Sequence, residues 1–154
     1  MTRRDVRYDV VVIGAGAAGM MCAATSGLRQ RRVLLIEHYP VLGEKIRISG
    51  GGRCNFTNIY CQPENFISAN QHFAKSALAR YTPADFIALV EQHGIAYHEK
   101  TLGQLFCDGS AQQVVTMLET ECRAVGVKIH TNVEVKTVDR GGQFTIGPDP
   151  APLA

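Results

Sequence analysis

The first 36 residues alternate between apolar runs and a stretch of small residues, a pattern typical of an α/β protein. Tyr8–Ile13 and Val33–Ile36 are β-branched runs without polar alternation, which predicts two strands buried on both faces. The residues from Ala17 to Gln30 predict a helix that ends near Gly27 or in the basic cluster at 29–32. Strand, tight turn, helix and strand in this order constitute a right-handed βαβ unit.

The middle of the chain has a less regular pattern. Residues 38–58 are rich in glycine and lack a period, which predicts an irregular loop, and Phe66 to Arg80 is predicted to be roughly helical. Thr82 followed by proline is typical of a helix N-cap, and this helix should continue to about His93. Short strands at 96–99 and 104–107 are expected to form a hairpin.

Helical and alternating patterns return in the last third of the chain. Asp108 or Ser110 is suited to cap an amphipathic helix that continues to Ala124. Residues 127–130 predict a strand. The alternation over 133–138, a turn at 139–142 and the run 143–146 predict an antiparallel hairpin.

Composition and length are those of one globular domain. The 154 residues are 45% hydrophobic and 19% charged, and the net charge of +2 gives too weak a field to suggest nucleic acid or an anionic membrane as partner. Arg3, Arg4 and Arg7 precede an apolar run that is too short for a signal peptide, and no stretch is long enough for a membrane span. We expect a domain at 1–147, a helical insertion at about 59–100 and an irregular, proline-rich tail at 148–154.

Five cysteines without a CxxC pair do not favour a disulfide framework or a zinc site, so we expect no metal and a cytoplasmic location. Cys54 is interpreted mainly as a packing residue, with Cys61 as the nearest partner for a redox role. The histidines at 72, 93, 98 and 130 are interpreted mainly as surface or core residues. The segment Tyr97–Lys100 is a polar cluster for which a solvated strand is the simpler interpretation.

Gly14, Gly16 and Gly19 form a GxGxxG motif between the first strand and the helix. Gly14 permits the tight turn, Gly16 lets a pyrophosphate approach the backbone, and Gly19 lets the helix pack closely on the strands. The N-terminus of the helix, with Ala17 and Ala18, faces the phosphates with its N–H groups and its dipole. Glu37 ends the second strand, where a carboxylate accepts hydrogen bonds from an adenosine ribose and disfavours a 2′-phosphate.

The segment after Glu37 favours FAD over NAD. An NAD-binding domain continues with alternating helices and strands. Here a long polar loop follows, with three consecutive glycines, cations at 45, 47 and 53 and hydrogen-bonding side chains at 49, 55 and 57. An NAD(H)-dependent reductase without flavin and a non-catalytic dinucleotide-binding remnant remain as alternatives.

Four segments carry a resemblance to a known group of proteins. They are YDVVVIGAGAAGMMCA at 8–23, SGGGRCNFTN at 49–58, SALARY at 76–81 and YHEKTLGQLFC at 97–107. Over about 8–146 the chain resembles the N-terminal part of aminoacetone-oxidase-like or bile-acid-reductase-like NAD(P)/FAD-dependent flavoproteins, of the glutathione-reductase-type FAD superfamily. Members of that group continue with further segments, so the chain is expected to be a truncated member.

The resemblance implies an α/β fold, a Rossmann-like FAD-binding βαβ sheet with a helical insertion and a β-hairpin. It implies hydride transfer between flavin and a small organic substrate, with NAD(P)H as a possible electron donor; catalytic residues and oligomeric state stay open. His38 is expected to flank the adenosine edge. The residues implied to bind FAD are Gly14, Gly16, Ala17, Ala18, Gly19, Glu37, Lys45, Gly50, Gly51, Gly52, Arg53, Cys54, Asn55, Thr57 and Val135.

Overall fold

The computed structural model describes residues 7–140 and 144–147. The predicted tail at 148–154, Arg3, Arg4 and the second half of the turn at 139–142 lie outside the described residues. The chain divides into two compact units, one formed by residues 1–44 and 118–154 and the other by Lys45–Met117. The second unit is a longer segment than the insertion predicted at about 59–100. It contains a sheet as well as helices.

The first unit is built on a parallel three-stranded sheet. Its elements are β1 (Val10–Ile13), α1 (Ala17–Leu28), β2 (Val33–Ile36) and β6 (Lys128–His130), and the strand order is β1-β2-β6. All four residues of the central strand β2 are buried, as its continuous apolar pattern predicts. The βαβ unit and the Rossmann-like α/β fold class are thereby confirmed.

The first unit also contains the predicted hairpin, formed by β7 (Thr137–Arg140) and β8 (Phe144–Gly147), with Val138 opposite Ile146. The first strand of this hairpin begins at Thr137, four residues later than predicted. Residues 133–136 are not in a strand. The predicted full burial of β1 is wrong: its residues are half-buried, and Ile13 is 52% exposed. Within the described sheet β1 pairs on one side only, so less of its surface is covered.

The second unit is built on an antiparallel three-stranded sheet of order β3-β5-β4. Its strands are β3 (Asn55–Asn58), β4 (Tyr97–Glu99) and β5 (Gln104–Cys107), and the last two form the predicted hairpin. Its helices are α2 (Glu44–Ile48, which begins one residue before the unit), α3 (Lys75–Arg80), α4 (Pro83–Gln92) and the first half of α5 (Gln112–Ala124).

Two sequence expectations about this unit are wrong. The glycine-rich segment predicted to be irregular contains α2, a 3₁₀ turn at Ser49–Gly52 and the strand β3. The helix predicted from Phe66 begins only at Lys75, because side chains before it bond to the backbone. The Ser68 hydroxyl accepts from the Asn70 N–H, and the Asn70 side chain accepts from the His72 N–H.

The helix ends follow the predicted capping rules. Thr82 and Asp85 form a reciprocal capping box at the start of α4, with proline at the first helical position. Ser110, rather than Asp108, accepts the N–H of Gln112 at the start of α5. Gly94 and Gly126 follow α4 and α5 with positive φ angles. None of the helices in the described ranges is long and apolar enough to cross a membrane.

Candidate dinucleotide-binding site

The glycine turn after β1 has the geometry that a phosphate-binding loop requires. Gly14 has a φ of +97°, and its N–H donates to the Ile36 carbonyl at 2.7 Å. A Cβ added to Gly19 would collide with the Gly14 carbonyl oxygen, so the absence of a side chain lets α1 pack against the end of β1. At Gly14 and Gly16 an added Cβ meets no protein atom within 4 Å, so the space beside the turn is open.

The N-terminus of α1 is suited to an anion. Gly16 is its N-cap residue and provides no side-chain hydrogen bond, and the first turn, which is fully described, contains no acidic residue. Ala17 and Ala18 are exposed. The first N–H groups of a helix lack partners within the helix and carry the positive end of its dipole. The open glycine turn and this uncapped helix end therefore fit the pyrophosphate of a dinucleotide.

Glu37 is a buried carboxylate at the end of β2, only 7% exposed. Its oxygens accept the Ala15 N–H at 2.7 Å and the Tyr39 N–H at 3.0 Å, and His38 Nδ1 lies 2.8 Å from Oε1. Burial alone would raise the pKa of this carboxyl, but the backbone hydrogen bonds from Tyr39 and Ala15, with His38, lower it below its usual value. Glu37 thus links the glycine turn to the end of β2, and its predicted bond to a ribose stays a prediction.

A cavity of about 530 Å³ lies beside the glycine turn, within the first unit. Four of its lining residues, Ile13, Gly14, Ile36 and His38, come from the ends of β1 and β2, as expected for a ligand at the carboxyl edge of a parallel sheet. The other three are Val133, Glu134 and Val135. Its position fits the expectation that His38 and Val135 flank an adenosine.

The remaining predicted residues, Lys45, Gly50–Asn55 and Thr57, belong to the second unit. Gly50, Gly51 and Gly52 have φ angles of +57°, +67° and +85°, a conformation that explains the glycine run without a ligand. The turn is fixed to its unit by two hydrogen bonds: the Gly52 carbonyl accepts from Ala111, and the Arg53 carbonyl accepts from Cys107. Lys45, Arg53 and Asn55 are exposed, and Thr57 is half-buried. The predicted flavin contacts of these residues stay a prediction.

Cys54 and Cys61 are both free thiols. Cys54 is 5% exposed, and burial raises the pKa of its thiol against the opposing hydrogen bond with Ser49. This supports its interpretation as a packing residue.

Sequence reasoning missed the residues that complete the cavity. Ile13, Val133 and Glu134 were not among the predicted site residues. The 133–135 segment reaches the cavity because the Val133 N–H donates to the Glu37 carbonyl at 3.0 Å, and the Asn132 N–H donates to the Tyr39 carbonyl. Asn132 has a φ of +58°. A short Asn-containing turn after the predicted strand at 127–130 was the only available signal.

Comparison with known families supports the fold and identifies the family. A family model described as "HI0933-like protein Rossmann domain" matches residues 8–149. The chain is similar to solved structures of a 3-ketosteroid-Δ4-(5α)-dehydrogenase from Rhodococcus jostii RHA1 and a glycine oxidase from Geobacillus kaustophilus. Both have a TM-score of 0.62 and 16% identity. The alignment with the dehydrogenase covers 89% of this chain and 40% of the dehydrogenase chain. The alignment with the glycine oxidase covers 91% of this chain and 51% of the oxidase chain.

Curated relatives share much more sequence. The chain is 59% identical over 132 residues to the ribosomal RNA dihydrouridine synthase of Escherichia coli K12, covering 86% of this chain and 33% of that protein. It is 52% identical over 130 residues to the enzyme of the same name from Haemophilus influenzae, covering 84% and 32%. A 3-dehydro-bile acid Δ(4,6)-reductase of Clostridium scindens is 27% identical over 130 residues, covering 82% and 32%. The chain therefore spans about a third of the length of these relatives.

Proposed function

Because the chain belongs to the HI0933-like family of Rossmann domains, we propose that it is the FAD-binding part of an enzyme that reduces uridine in ribosomal RNA to dihydrouridine. The comparisons support the predicted cofactor, FAD, and the expectation of a nucleotide-binding flavoprotein oxidoreductase. The finer expectation, an aminoacetone-oxidase-like protein, is replaced. Two relatives with more than half of their aligned residues identical are ribosomal RNA dihydrouridine synthases.

The observation that carries the cofactor part of the proposal is the open space at Gly14 and Gly16 beside an uncapped helix N-terminus. In this proposal the backbone of the turn and of Ala17 and Ala18 binds the pyrophosphate. Glu37 holds the turn through Ala15, and the cavity lined by His38 and Val135 takes the adenosine. When bound and reduced by an NAD(P)H-type donor, FAD would supply a hydride.

The substrate part of the proposal rests on the relatives. Their names denote an RNA substrate, whereas the sequence predicted a small organic substrate and no nucleic acid. The net charge of +2 argued only against binding through the field of the whole chain. It does not argue against contacts between individual side chains and RNA. A cytoplasmic location, proposed from the free cysteines, is compatible with a ribosomal RNA substrate.

A chimera provides the test of this function. The matching segment of the Escherichia coli enzyme is replaced by that of this chain, and the chimera is produced in a strain without the native enzyme. We expect dihydrouridine to reappear in ribosomal RNA, measured by mass spectrometry of the nucleosides. A chimera that folds and carries flavin but forms no dihydrouridine would contradict the proposed substrate.

The pyrophosphate role is tested by Gly16→Ala in the same chimera. A Cβ at this position meets no protein atom, so the melting temperature of the flavin-free protein should stay unchanged. Flavin content after purification should fall at least about tenfold, which corresponds to roughly 1.4 kcal/mol of binding free energy. The matched control is Gly109→Ala, where the three protein atoms nearest to the added Cβ all belong to the end of the Gln113 side chain. Equal flavin content in the two variants would refute the assignment.

A further inference from the structure

We infer that His98, held by Asp108, is the proton donor that completes reduction of the uracil ring. The inference rests on the proposed function and adds a catalytic residue to it. Its evidence lies within the second unit, where the two side chains form a pair on the face of the sheet that also carries Asn55 of the predicted flavin-binding segment.

His98, Phe106 and Asn55 lie side by side across the antiparallel sheet. His98 of β4 is opposite Phe106 of β5, and Phe106 is opposite Asn55 of β3. Directly paired residues in a sheet project from the same face, so these three side chains share one face. Asn55 belongs to the predicted flavin-binding segment, and Gly50 of that segment lies against the Phe106 ring, where an added Cβ would be 2.8 Å from Cε1.

The opposite face is occupied by packing. The Phe56 ring contacts the Tyr97 ring edge to face, with 5.5 Å between the ring centroids, and its centroid lies 6.1 Å from that of Phe86. Since side chains alternate along a strand, the polar face gathers the titratable groups His98, Lys100 and Asp108. The Lys100 Nζ atom lies 5.2 Å from the centroid of the Phe106 ring. The His98 ring is stacked on the same Phe106 ring, with 6.4 Å between the two centroids.

The His98–Asp108 pair has the geometry of an oriented acid. Nδ1 of His98 is 2.6 Å from Oδ1 of Asp108, and the two side chains are 44% and 50% exposed. A carboxylate at Nδ1 places a proton on that nitrogen and directs Nε2 away from it. The contact with Asp108 therefore gives the imidazole ring a fixed position and tautomer that a solitary surface histidine lacks.

Dihydrouridine differs from uridine by two hydrogens across the C5–C6 double bond. The hydride supplied by reduced flavin forms one C–H bond, and the electron pair of the double bond moves to the other carbon. That carbon takes a proton from Nε2 of the imidazolium form of His98. Nδ1 keeps its own proton, which it donates to Asp108 in a hydrogen bond. Water then supplies a new proton to Nε2.

The activity test uses His98→Ala in the chimera with the Escherichia coli enzyme. We expect dihydrouridine formation to slow by about 100-fold or more, the usual effect of removing a general acid. Flavin content and the rate of flavin reduction should match the wild type. Added imidazole should restore part of the lost rate, which a purely structural role does not predict. His72→Ala, an exposed histidine of the same unit, is the control and should change none of these quantities.

A second readout needs neither flavin nor activity. Nitrogen-15 NMR of histidine-labelled protein should show neutral His98 with its proton on Nδ1, and Asp108→Ala should move it toward Nε2. An unchanged tautomer, or His98→Ala protein with wild-type rate, would overturn the inference, as would a lost rate that imidazole does not restore. A chimera without these substitutions that forms no dihydrouridine would instead disprove the proposed function.

Discussion

Among the individual residues, Glu37 connects three parts of the first unit that lie far apart in the sequence. Its carboxylate accepts the N–H of Ala15, 22 positions earlier, and its backbone bonds to His130 and Val133. A buried carboxylate with two N–H donors keeps its charge because these bonds replace lost water. Glu37 thus has a structural role whether or not a ribose is bound.

Glu37→Gln should destabilise the protein in a pH-dependent manner. Its folded pKa is lowered, so the ionised carboxylate stabilises the fold fully above its unfolded pKa and ceases to do so as pH falls through the folded pKa. We expect the variant to lose about 2 kcal/mol at pH 7, the scale of hydrogen bonds to a charged group. The difference should shrink below about pH 4.

Urea unfolding of both proteins across this pH range provides the measurement. Glu44→Gln is the matched control, because Glu44 is an exposed carboxylate of the same unit and should change stability by less than about 0.5 kcal/mol. A difference for Glu37→Gln that stays constant down to pH 3 would show that its charge does not stabilise the fold.

Among the elements, those with a strong local signal were predicted correctly. β1, α1 and β2 follow from apolar runs and the glycine motif, and α4 follows from Thr82 and Pro83. β3 was missed, since its sequence NFTN has no apolar alternation and it forms by pairing with β5, about fifty residues later.

The residues of the candidate site also divide into those with a local sequence signal and those brought together by long-range pairing. The glycine turn and Glu37 lie at fixed spacing in the βαβ unit, so the sequence locates them. Val133 and Glu134 reach the cavity because β6 pairs with β2 and the Val133 N–H then bonds to the Glu37 carbonyl. The Asn55–Phe106–His98 row depends on strand register. Such long-range pairings leave no periodic trace in a single sequence.

For the whole chain, the five cysteines report on both units. Cys122 belongs to the first unit, and its thiol donates to the Met20 carbonyl at 3.2 Å. Cys54 and Cys107 belong to the second unit, where both are buried. Cys22 is exposed and Cys61 is half-buried. Thiol reactivity therefore distinguishes the folded chain from one in which either unit is open.

In the folded protein, two of the five thiols should react rapidly with iodoacetamide and three should react slowly. Burial raises the pKa of Cys107 and of Cys122 to about 11, so at pH 8 only about one thousandth of each is the reactive thiolate. Iodoacetamide labelling followed by peptide mass spectrometry should modify Cys22 and Cys61 first, and urea should expose all five.

Rapid labelling of Cys122 alone would mean that the first unit opens independently, and rapid labelling of Cys107 would mean the same for the second. Because α5 runs from residues of the second unit into residues of the first, we expect both cysteines to become reactive at the same urea concentration.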